Sequence, residues 1–115
     1  HVPHGVCCAI FTPACLEFVA DVRPAEIRKI AELLDVAFTA GETAAEVAQR
    51  TSEKICAMYR EVGVADITAF IPDKETAKRT LIPVAKADIM AGFCPRKLDD
   101  AGAEWIMERT YELVK

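Results

Sequence analysis

Histidine and glycine are both scarce in this chain, with two and five copies in 115 residues. Five scattered glycines cannot build the phosphate-cradling loop of a nucleotide-binding fold, and no such loop is present. Basic residues form no cluster: the net charge is −4 and the pI near 5.2, which excludes an electrostatic footprint for nucleic acid. Lys78-Arg79 and Arg96-Lys97 are isolated pairs expected at solvated helix ends. No apolar run approaches the roughly 18 residues of a membrane span. The opening stretch lacks a positively charged segment and carries Pro3 and Pro13, unlike a secretory signal. The expectation is a soluble, cytoplasmic protein without a membrane or nucleic-acid partner.

Close cysteine pairs of the Cys-x-x-Cys kind are also missing. The five cysteines (Cys7, Cys8, Cys15, Cys56, Cys94) are odd in number, which fits neither a structural zinc site nor a disulfide framework. They are expected to be buried, reduced thiols. Neither a Ser/His/Asp set nor a spaced pair of carboxylates stands out. Acidic residues fall on helix faces, where solvated charge is the expected role.

What remains is helical periodicity. Hydrophobic residues make up 52% of the chain, enough for one modest core. Val6 to Val19 is apolar nearly all round and should be buried on several sides. Pro24 suits the first turn of a helix with its stripe at Ile27, Ile30, Ala31 and Leu34. Thr43 and Glu46 form a capping box, followed by the stripe Ala44, Val47, Ala48, Thr51, Ile55, Met58, Tyr59 and Val62. Gly63 supplies the left-handed stop. Ala65–Ile71 reads as a short strand or an irregular connection ended by Pro72. Thr80 is the expected cap of a helix with Pro83 in its first turn, reaching Gly92. Asp99 or Asp100 caps a last helix carrying Ala103, Ile106, Met107, Thr110, Leu113 and Val114, with Gly102 as a blemish. The fold class is all-α, about five helices in a single domain over residues 1–115.

The chemically suggestive residues stand at the beginning. Pro3 fixes the backbone before His4, and Gly5 permits a close approach by another backbone or a ligand. Neutral imidazole is the commonest metal ligand, although a lone histidine at a helix start is more often a capping or packing residue. His1 and His4 are three apart, but Pro3 argues against one continuous helix through both.

The block Val2-Pro3-His4-Gly5-Val6-Cys7-Cys8-Ala9-Ile10-Phe11-Thr12-Pro13 resembles the second metal-site signature of the iron-containing alcohol dehydrogenases. Phe18 stands where that helix has its aromatic. Ile27–Leu34, Thr43–Gly63 and Pro83–Met90 resemble the helices that follow, and Cys94-Pro95-Arg96 stands where the family usually has Asn-Pro-Arg. The resemblance implies the C-terminal helical domain of a dehydroquinate synthase-like fold, one portion of a longer two-domain enzyme. In that family an upstream α/β domain binds NAD or NADP, and one Asp with three His hold Fe²⁺ or Zn²⁺ in the cleft. By the resemblance His4 is the last of those ligands, and the others lie upstream of His1. The implied activity is interconversion of small-molecule alcohols with aldehydes or ketones. This portion would contribute one metal ligand and pocket wall, and would be inactive alone.

Two other readings compete. One is a free-standing helical interaction module without catalysis, for which an initiator Met near Val2 would speak; none is present. The other is a small metal-binding protein using His1, His4, Cys7 and Cys8, in which the adjacency of the cysteines strains a shared metal. The dehydrogenase reading further predicts an exposed apolar patch near His4, or a homodimer or swapped contact hiding it.

Overall fold

The computed structural model describes residues 3–64 and 66–115, and these contain five α-helices and no strand. They are α1 (His4–Val19), α2 (Pro24–Leu33), α3 (Ala44–Val62), α4 (Lys74–Ala87) and α5 (Asp100–Leu113). Short 3-10 turns lie at Ile67–Ala69 and Ile89–Phe93. The all-α expectation holds.

α1 is the central element, packed against both α3 and α5, while α2 lies on α3 and α4 on α5. Two apolar clusters result. Ile10 and Ala14 of α1 meet Cys56, Ile67, Leu113 and Val114, and Ile27 and Ala31 of α2 meet Ala44, Val47 and Ala48 of α3. α2 buries Ile27 and Ala31, and α3 buries Ala44, Val47, Ala48 and Thr51, as their periodicity predicts. But α3 leaves Met58 and Val62 exposed and buries Ser52 and Cys56 instead. Val84 and Ile89, within the helix expected from Thr80 to Gly92, are also exposed. Burial contributes about 25 cal/mol per Å² of apolar surface.

Local chemistry sets the boundaries. At α3 the Thr43 hydroxyl accepts from the Glu46 N–H at 3.2 Å, and the Glu46 carboxylate accepts from the Thr43 N–H at 3.3 Å. Gly63, at φ 79°, closes this helix in the left-handed region, as its sequence position predicts. Pro24 occupies the first turn of α2. Asp99, rather than Asp100, caps α5 by accepting from the Gly102 N–H at 2.7 Å.

The region after Gly63 departs from expectation. Ile67–Ala69 forms a 3-10 turn, not a strand, with Asp66 accepting from the Thr68 N–H at 2.8 Å; Ala65 lies outside the described residues. α4 begins at Lys74, six residues before the expected Thr80 cap. Asp73 is the actual cap, accepting from the N–H groups of Glu75 (3.1 Å) and Thr76 (3.3 Å). Pro83 therefore stands inside α4, on an exposed position where a missing helical hydrogen bond can be made up by water.

Gly102 is not a blemish. A Cβ at this position would lie 2.8 Å from Cζ of Phe18, so the bare backbone lets α5 come down onto the buried ring. The guanidinium of Arg96 covers that ring at 4.5 Å from its centroid and donates to the Phe18 carbonyl at 3.1 Å. Arg96 thus joins the turn before α5 to the end of α1, instead of being merely solvated. Lys78 is likewise engaged, pairing with Glu104 at 2.9 Å and Glu108 at 2.8 Å across the α4–α5 contact.

One acidic residue breaks the rule of solvated faces. Glu17, with a side chain only 10% exposed, pairs with Arg109 of α5 at 3.0 Å and accepts from the Ser52 hydroxyl of α3. A single carboxylate thereby ties the three central helices together.

Candidate functional site

His4 is the first residue of α1, two residues earlier than the apolar run suggests. Pro3 precedes it in extended conformation, and the Pro3 carbonyl accepts from the N–H groups of Val6 and Cys7, both at 3.1 Å. This starts the helix without a side-chain cap. The first turn contains no acidic residue. His4 and Gly5 are both exposed, so the imidazole is open to a ligand approaching from outside.

One turn further on, the Cys8 thiol lies 3.5 Å from Nε2 of His4, at the longer reach of a sulfur hydrogen bond. Cys8 is also exposed. Its carbonyl accepts from the Thr12 hydroxyl at 2.6 Å, which fixes the backbone of this turn. His1 lies outside the described residues, so the His1–His4 pair has no structural counterpart here.

A divalent metal at a catalytic centre needs at least three protein ligands and an open position. Among the described residues no group of three or more His, Cys, Asp or Glu side chains comes together. The accessible imidazole of His4 is the kind of donor such a set uses.

The thiols divide into different surroundings, contrary to the expectation of uniform burial. Cys56 is buried, and burial pushes its thiol up from the ordinary value. Cys8 and Cys15 are exposed, and Cys7 and Cys94 are intermediate. Cys15 opens onto a crowded apolar wall; desolvation there, followed by the nearby Cys94, raises its thiol. Neither Cys15 nor Cys56 is primed as a nucleophile, since the thiolate is the reactive form.

Two cavities lie away from His4. A cleft of about 490 Å³ at the far end of α1 is bounded by Glu17, Phe18, Asp21, Arg96 and Trp105. At a rise of 1.5 Å per residue, Phe18 stands about 21 Å along the helix from His4. An apolar groove of about 330 Å³ runs between α1, α4 and α5, with Phe11, Cys15, Leu81, Val84 and Ile106 on its walls. It borders the middle of α1. No helix among the described residues is long and apolar enough to cross a membrane.

Residues 1–111 match the family model described as Fe-containing alcohol dehydrogenase family, C-terminal. The chain belongs to that family. No curated protein and no solved structure matches it.

The sequence singled out His4, and grouped Cys8 with His1, His4 and Cys7 only in the reading of a small metal-binding protein, although its i, i+4 spacing to His4 was a usable signal. Two relationships gave no such signal. The Glu17–Arg109 and Arg96–Phe18 contacts join positions 92 and 78 residues apart and leave no local pattern.

Proposed function

We propose that this chain is the helical portion of a metal-dependent, NAD(P)-linked alcohol dehydrogenase that interconverts alcohols with aldehydes or ketones. The observation that carries this reading is the exposed imidazole of His4 at the start of α1, within the family match. His4 serves as one ligand of Fe²⁺ or Zn²⁺. When bound, the metal supplies Lewis-acid polarisation of the substrate oxygen while hydride passes to or from the nicotinamide.

The chain's own residues hold and orient. Pro3 sets the entry of the backbone, and the Pro3 carbonyl anchors the first helical turn beneath His4. Gly5 presents no side chain on the exposed face beside it, leaving room for a substrate or an adjoining backbone. α3 and α5 brace α1 from behind, so the imidazole stands on a rigid element. The remaining ligands are assigned to sequence upstream of His1 and most of the nicotinamide site to an upstream nucleotide-binding domain, and residues 1–115 act as a helical portion that is inactive by itself.

The first measurement is the intact mass of the protein, against 12.6 kDa for this chain. Aldehyde-dependent oxidation of NADH and NADPH is then followed with added Fe²⁺ or Zn²⁺. The 115-residue chain should show no turnover. A longer protein containing it should turn over, and His4→Ala should abolish that activity. Turnover by the 115-residue chain, or activity that survives His4→Ala, overturns the reading.

A further inference from the structure

Cys15 and Cys94 are brought to one place by contacts that their neighbours make. Cys15 lies one turn before Phe18, on the same side of α1. The Arg96 guanidinium covers the Phe18 ring at 4.5 Å and donates to the Phe18 carbonyl at 3.1 Å. Those two contacts lay the turn that contains Cys94 against that side of α1. Leu98, further along the same segment, lines the apolar groove together with Cys15. The thiols feel each other: after burial, the nearness of Cys94 pushes the Cys15 thiol up. Cys15 is exposed and Cys94 partly so, which lets a small reagent reach both. Residues 94–99 belong to no helix, so Cys94 can close on Cys15 without breaking one.

Other thiols stand apart from this pair. Cys8 is two turns earlier on α1, about 10 Å by helical rise, whereas a disulfide spans at most roughly 7 Å between Cα atoms. Cys56 lies in the core cluster around Ile10 and Ala14.

We propose that Cys15 and Cys94 form a reversible disulfide that ties α1 to the turn before α5 when a small-molecule disulfide is in excess. The Cys94 thiolate attacks one sulfur of oxidised glutathione, whose S–S bond breaks as one glutathione thiolate leaves. The Cys15 thiolate then attacks the Cys94 sulfur of this mixed disulfide and expels the second glutathione. The two protein thiols are oxidised, one glutathione disulfide is reduced, and the two cysteine protons pass through solvent to the departing thiolates. Cys15, held protonated, suits the second step, where attachment beside the mixed disulfide makes up for a small thiolate fraction.

The test is incubation of the reduced protein with oxidised glutathione, acid quenching, alkylation of the remaining thiols and peptide mapping by mass spectrometry. The expected product joins the peptide carrying Cys15 to the one carrying Cys94, with the bond located by fragmentation. Its yield should be independent of protein concentration, and dithiothreitol should restore both thiols. It should be lost in Cys15→Ser and Cys94→Ser and retained in Cys7→Ser and Cys8→Ser. In Cys15→Ser, Cys94 should stop at the mixed disulfide with glutathione. Cys15 and Cys94 lie outside the two buried core clusters, so circular dichroism of their variants should match the parent.

The proposal is overturned if Cys15 and Cys94 both stay alkylatable, or each keep a glutathione, under conditions that modify the exposed Cys8. A bond from either thiol to Cys7 or Cys8 overturns it as well, as does a yield that rises with protein concentration. None of these outcomes depends on the reading of His4.

Discussion

Gly102 and Phe18 are in contact because residue 102 has no side chain. A Cβ there would come within 2.8 Å of the ring, whose exposed area is only 3%. Gly102→Ala sets two effects against each other. Helix propensity favours alanine by about 1 kcal/mol, while overpacking a core contact costs about 1–3 kcal/mol. Arg96 over the ring face resists its displacement, so overpacking should prevail. A Tm lowered by a few degrees is expected in thermal denaturation; an unchanged or raised Tm would show the ring swinging into the neighbouring cleft.

Glu17→Gln should be among the more damaging changes to a polar residue. It removes the charge facing Arg109, whose side chain is 19% exposed and keeps only the more exposed Glu112 as an ionic partner. A loss of about 2 kcal/mol is expected, below the range for a fully buried pair because both side chains retain some solvent. Urea denaturation reads it directly. Replacing the pair together, Glu17→Gln with Arg109→Met, should recover part of the loss, and failure to do so would mean that Ser52 is the more important partner of Glu17.

Stability should fall as acid protonates the carboxylates of α4 and α5. Hydrogen bonds from Thr76 hold Asp73 below its ordinary value, and those from Lys74 and Lys78 do the same for Glu108. A carboxylate depressed in the folded state stabilises above its unfolded pKa and loses that contribution as pH drops through the folded one. The decline should therefore begin near pH 4 and continue below it. Thermal melts across that range should be shallower for Asp73→Asn and Glu108→Gln, which start lower at neutral pH. A parallel slope in all three proteins would refute the assignment.

Pro83→Ala should stabilise the protein. An interior proline costs a helix roughly 3 kcal/mol, and this one is exposed in α4 with nothing buried to lose. A gain of about 1 kcal/mol or more is expected in urea denaturation. A loss would mean that the bend at Pro83 shapes the apolar groove between α1, α4 and α5.

The helices with chemically explicit ends were legible in the chain. Thr43, Glu46 and Gly63 mark α3 by side-chain and backbone chemistry acting within four residues, and Pro24 marks α2 in the same way. α4 was misplaced because Thr80 and Pro83 together imitate a helix start. Asp73, which has the better claim, directly follows Pro72, the residue that ends the expected connection. At the candidate site, His4 was visible through its neighbours Pro3 and Gly5. The alignment of Cys8 beneath it required the helix to be known to include His4 itself. Glu17 could not be recognised as buried, because its partners Ser52 and Arg109 come from helices far along the sequence.

The last turn of α5 is also bound to the connection between α3 and α4. Ile67 donates its N–H to the Val114 carbonyl at 3.1 Å, and the Tyr111 hydroxyl donates to the Ile71 carbonyl at 2.6 Å. Here, loosening the last turn would expose Ile67, which is fully buried, and release the connection that leads into α4. The two segments form one latch, and the last turn of α5 shares the fate of the core it closes.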